Sequence, residues 1–150
     1  MRDALDPLLT AIIKKLETDN TILYDGQAVS VYTQVPNDNA LSSRPIIIIE
    51  PSTNTEANTT KQSIGQVHTV NIEVISRHNA GAGGWGANNN ITNQIKQLMR
   101  NIGDYLDLSS DNFLVIRQLL LNTDLIRDAY DEGVYFRNIS TFEFTIEDIS

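Results

Sequence analysis

Hydrophobic and polar positions alternate with two distinct periods along the chain. Leu5, Leu8, Leu9, Ile12, Ile13 and Leu16 recur at helical spacing and form one apolar stripe, with Asp3 and Asp6 before it and Lys14 and Lys15 near its end. That pattern predicts an amphipathic helix whose end charges suit the helix dipole. Asp6-Pro7 offers a second start, as cap and first helical residue, for a helix over about residues 7–18. Ala28 to Val35 is rich in β-branched and aromatic residues and stops at Pro36, which predicts a strand. Asn37-Asp38-Asn39 reads as a turn. The unbroken run Ile46-Ile47-Ile48-Ile49 then predicts a strand covered on both faces.

Residues 51–63 are polar apart from Ala57 and predict a long loop. From Gly65 to Arg77 the period becomes two, with His68, Val70, Ile72 and Val74 on one face. A glycine-rich loop over about residues 78–90 follows, and Asn88, Asn89 and Asn90 are candidate caps for a second helix. Its stripe is Ile91, Ile95, Leu98, Met99, Ile102 and Leu106, with Gly103 as its end. Phe113 to Leu121 and Val134 to Ile146 predict two strands. Asp131-Glu132-Gly133 is the turn between them, which implies antiparallel pairing. The expected fold is α+β: a single domain over 1–150, with a mainly antiparallel sheet of about four to five strands and two amphipathic helices packed on one face.

The chain has 150 residues, no cysteine and two histidines, and its net charge is −8. Absence of cysteine removes disulfides, thiolate metal sites and cysteine nucleophiles. The acidic balance disfavours a domain that grips nucleic acid phosphates. No signal peptide and no membrane-spanning run are expected. From Asp104 onward ten acidic residues face three arginines, so the charge is concentrated in the last third.

Candidate chemistry is sparse. Gly81-x-Gly83-x-x-Gly86 satisfies the letters of a dinucleotide-binding motif, but the preceding strand is half polar and no acidic residue ends a following strand. A flexible, exposed loop is the better reading, with Gly81, Gly83, Gly84, Trp85 and Gly86 as candidate partner contacts. Within it Trp85 is either folded back on the domain or held out for a partner. His68 and His78 read as a core or edge histidine and a solvated one. Asp124, Asp128, Asp131 and Glu132 lack calcium-loop spacing and read as a solvated turn. No catalytic residues, metal site or cofactor are expected, and the protein is not expected to be an enzyme.

Several segments together resemble the tail terminator, or tail completion, proteins of tailed bacteriophages. They are Val31-Tyr32-Thr33-Gln34-Val35-Pro36, Arg44-Pro45 leading into Ile46–Glu50, the strand from Val70 to Ser76, a helix with Ile91, Ile95 and Leu98, and a closing strand from Tyr135 to Ile146. The chain departs from that pattern with Ile46 in place of an aromatic after the proline, and with a longer connection over Gly81–Asn90. The resemblance implies a structural virion protein of the tail or neck, assembled in the host cytoplasm. It implies a six-fold ring of identical subunits at the head-proximal end of the tail. The implied partners are the tail tube protein, neck or head–tail connector proteins, and genomic DNA that passes the lumen without specific binding. A head–tail connector or stopper is the alternative within the structural class. A small nucleotide-binding or regulatory domain using the Gly81–Gly86 loop is the alternative from another class.

Overall fold

A computed structural model of the chain describes residues 2–34, 36, 41–58, 64–79, 83–100, 104–131 and 133–150. Helix α1 spans Leu5–Ile13 and continues as a π-helical turn over Lys14–Thr18. Its first backbone bond runs from Leu8 N–H to Ala4 O at 2.9 Å. Pro7 therefore sits in the first turn, where no N–H is required, and the helix begins before it. Ala4 is the N-cap residue and makes no side-chain cap, while Asp3 Oδ1, one residue earlier, accepts the Leu5 N–H at 2.9 Å. Leu8, Ile12 and Leu16, four residues apart, form the buried line of the stripe.

The predicted strand over Ala28–Val35 is broken into pieces. Leu23–Tyr24 (β1) and Gln27–Ala28 (β2) form a small hairpin, whose turn residues Asp25 and Gly26 have φ of 52° and 76°. Asp-Gly with both φ positive is the turn that matches strand twist. Val31–Tyr32 (β3) then pairs parallel with β4, Ile46–Asn58, as Val31↔Ile47 and Tyr32↔Ile48. Val35 and Asn37–Asn39, with their expected turn, lie outside the described residues.

Strands β4, β5 (Ile64–His78), β6 (Phe113–Tyr130) and β7 (Gly133–Asp148) form the main sheet in the order β3-β4-β5-β7-β6, antiparallel throughout except at β3. The α+β class, the five strands and the antiparallel β6–β7 pair agree with the sequence. Helix α2, Trp85–Met99, packs with α1 on one face. There Leu8, Ile12, Ile91, Ile95 and Met99 meet Ile47, Ile49, Val70, Ile72, Phe142, Phe144 and Ile146. Ile46 and Ile48 point the other way, into a smaller cluster with Leu41, Ile75 and Tyr135. All four isoleucines are buried, as a strand covered on both faces requires.

Three expected boundaries are corrected. Residues 51–58, read as loop from their polarity, continue β4: backbone pairing with β5 is indifferent to side-chain polarity, and threonines favour extended backbone. Pro51 is tolerated because β3 covers only Ile47 and Ile48, so β4 is an edge strand there, bulged between Pro51 and Thr53. Next, α2 ends at Met99, and Leu106 is buried from a non-helical segment. Gln118 of β6 explains that stop. Its Nε2 donates to Met99 O at 2.7 Å and its Oε1 accepts the Leu106 N–H at 3.1 Å. The expected helix end at Gly103, and Ile102 of the stripe, lie outside the described residues. Finally, β6 runs on to Tyr130 instead of ending at Leu121. Asp124 and Asp128 are thus strand residues, Asp131 lies at the turn, and Glu132 is outside the described residues.

Candidate assembly surfaces

The expected loop over 78–90 is mostly not a loop. Helix α2 begins at Trp85, so Asn88, Asn89 and Asn90 lie inside it, and the residue that precedes its first turn is Gly84. Gly84 is buried between two rings. A Cβ there would lie 2.5 Å from Phe136 Cδ2 and 2.6 Å from His78 Nε2. Only glycine allows the helix to start this close to the sheet. Trp85 folds back, meeting the Phe136 ring edge-on at 4.9 Å between centroids, and His78 meets the same ring at 5.5 Å. Gly83 and Gly86 are exposed, and Gly81 lies outside the described residues.

Asn88 is the polar anchor of this corner. Its Nδ2 donates to Phe136 O at 2.7 Å and to Val74 O at 3.2 Å, while its Oδ1 accepts from Ser76 Oγ at 2.8 Å. Ser76 Oγ in turn lies 3.0 Å from His78 Nε2. The asparagine expected as a cap instead satisfies buried strand carbonyls. Strand β5, which leads into the glycine turn, is antiparallel to both neighbours. The parallel strand that a dinucleotide turn requires is absent.

The two histidines are not brought together. They stand ten positions apart on β5, roughly 33 Å at strand rise. His68 is buried on the helix side, where its Nε2–H donates to Gln66 Oε1 at 2.8 Å and its Nδ1 has no partner. Burial pushes its pKa down, against a weaker opposing pull from Asp3. Gln66 Oε1 also accepts the Ala4 N–H at 3.0 Å, and its amide donates to Arg2 O at 2.5 Å. Arg2 continues the clasp to Asp148 at 2.9 Å and stacks 4.5 Å over Phe113. The Arg2 hydrogen bond holds the Asp148 carboxyl well below the usual carboxylate range. Among the described residues no group of three or more His, Asp and Glu is placed to hold a metal ion, and no helix is long and apolar enough to cross a membrane.

The remaining surface feature is an edge. No described strand pairs with the outer side of β6. Along it Leu114, Ile116, Leu121, Leu125 and Tyr130 are between 40% and 58% exposed. A long apolar edge offers unpaired backbone groups together with apolar surface, and soluble proteins normally blunt such an edge. Arg117 and Arg127 on the same strand are exposed and have no ion-pair partner among the described residues, whereas Arg137 on β7 is held by Glu73 and by Asp128 at 3.7 Å. The glycine-rich motif and Trp85 pointed to their loop as the candidate contact surface. The signal for β6 was its apolar run Leu119-Leu120-Leu121, whose side chains the helices cover only in part.

The described residues thus combine a buried core, a clasp between Arg2 and Asp148 and an apolar outer strand. The family model described as tail completion protein gp17 matches residues 10–147. The chain belongs to that family. This tail completion protein is accordingly a structural protein of a phage tail. A solved chain from the virion of a native gene transfer agent particle has the same fold, with a TM-score of 0.70, 19% identity, and 98% of this chain and 99% of that chain covered. No curated protein matches the chain.

Proposed function

We propose that the protein forms a closed, six-fold ring at the head-proximal end of the tail. The ring ends tube growth, presents a surface to the neck or head–tail connector proteins, and lets genomic DNA pass without binding it specifically. The observation that carries this reading, within the tail completion family, is the open apolar edge of β6. Burial of that edge against a second copy removes both its unpaired backbone and its exposed leucines from water. A net charge of −8 supports passage of DNA, because a lumen poor in free cations does not arrest phosphates.

Light scattering after size exclusion, with negative-stain images of the peak, tests the ring. Six copies of a 16.7 kDa chain give a species of about 100 kDa with annular particles. A monomer is then mixed with the tail tube protein, which can act as a template. Annuli at tube ends support the reading, and tubes that keep growing uncapped overturn it.

A further inference from the structure

The main sheet has two long outlying strands of unlike chemistry, β6 and the part of β4 beyond β3. Among the described residues no strand pairs with the outer side of β6, and none pairs with β4 beyond the two residues paired with β3. The ladder registers align these open stretches. Asn122, Thr141, Asn71 and Glu50 share one transverse row, and Leu114, Glu147, Gly65 and Ala57 share another. Leu114–Asn122 of β6 and Glu50–Ala57 of β4 therefore span the same height of the sheet.

Both edges are bent at the same level. The row Leu120, Phe142, Val70, Pro51 adjoins the β4 bulge between Pro51 and Thr53 and the β6 bulge between Leu120 and Asn122. Bulges bend strands and deepen their twist, which is the curvature a sheet needs in order to close on itself. Direction also fits. Each of the steps β4 to β5, β5 to β7 and β7 to β6 is antiparallel, so β4 and β6 run in opposite directions. Rotation about a ring axis preserves direction along that axis, so β6 of one copy meets β4 of the next antiparallel. Within the aligned stretches, Arg117 on β6 and Glu50 on β4 are exposed charges of opposite sign.

On these grounds, and resting on the ring reading above, we infer that the subunit interface is an edge-to-edge join. The Leu114–Asn122 stretch of β6 pairs with the Glu50–Asn58 stretch of β4 in the next copy, making one sheet around the ring. The contact is heterologous, as ring closure requires. Two β6 edges facing each other would instead close as a dimer.

The chain has no cysteine, so introduced thiols report contacts without background. Leu121→Cys is combined in one chain with Glu50→Cys, Pro51→Cys, Ser52→Cys or Thr53→Cys, one at a time. Each full-length variant is assembled, on tail tube protein if a template is needed, and oxidised. All five positions are exposed, where substitutions seldom affect folding. Paired strands lie about 5 Å apart, within disulfide reach. The expected result is a disulfide ladder up to the ring size at one or two adjacent β4 positions and none at the others. Annular particles that show no ladder at any position overturn the inference and leave the ring reading standing. So do covalent dimers from Leu121→Cys alone. Absence of annular particles from the unmodified chain, alone and with tube, overturns the ring reading and this inference with it.

Discussion

The hairpins β4–β5 and β6–β7 share one architecture and differ in what their outer strands expose. Both are long antiparallel pairs, and the outer strand of each carries a bulge. Over residues 50–55 β4 presents Glu, Pro, Ser, Thr and Asn to solvent, whereas β6 presents leucines, an isoleucine and a tyrosine. The lesson is that backbone pairing alone extends a strand past its apolar stretch. Side chains then decide whether the exposed edge stays in water or seeks a partner.

The strand common to both halves gives the strongest test. Phe144 of β7 is fully buried, pairs with His68 on one side and Gln118 on the other, and lies under the helices. Phe144→Ala should cost about 3 to 5 kcal/mol by urea unfolding. A loss below about 1 kcal/mol, far short of that range, would mean that the two hairpins do not share one core. Gln118→Ala comes next. It leaves Met99 O and the Leu106 N–H without partners and should cost about 2 kcal/mol. Amide exchange should rise at the end of α2 and in β6, with β4 unaffected.

Gly84→Ala should cost about 1 to 3 kcal/mol through contact with Phe136 and His78. Near-ultraviolet circular dichroism from Trp85 should weaken in step, and an unchanged signal with unchanged stability would contradict the packing. His68 gives a pH test on the β5 side. Its pKa is lowered in the fold from an ordinary value of 6.5, so the unfolded chain binds the proton first. Its stabilising contribution is therefore complete above that value and is lost as pH falls below it. The slope has a limit of about 1.4 kcal/mol per pH unit for one proton. Denaturation midpoints of His68→Gln should be flatter across this window, and parallel curves would exclude His68 as the source.

The smallest effect on stability sharpens the comparison most. Leu121→Lys on β6 and Thr55→Lys on β4 both alter exposed edge residues and should change folding by less than about 0.5 kcal/mol. Particle mass by light scattering should nevertheless fall for both, because both lie in the inferred join. Retention of full assembly by Leu121→Lys would remove this part of β6 from the contact.

Much of the molecule was legible in its sequence because each pattern reports a local constraint. The helical stripe of α1, the period-two face of β5 and the both-face burial of Ile46–Ile49 follow from where water is excluded around a regular backbone. The same patterns, with the motifs from Val31 to Glu50 and from Tyr135 to Ile146, pointed to the tail completion family before any contact was known. The Asp25-Gly26 hairpin signal was also present in the letters. The misread segments are those whose conformation is set by distant partners. Residues 51–58 are extended because β5 pairs with them. Asn88 is a buried anchor because Val74 and Phe136 carbonyls lie opposite it. Gly84 is required by two rings reached through the fold, and α2 stops where Gln118 takes the Met99 carbonyl. A hydrogen bond or a ring contact between residues tens of positions apart leaves no period in a sequence, so tertiary structure alone decided those positions and exposed β6 as the open edge.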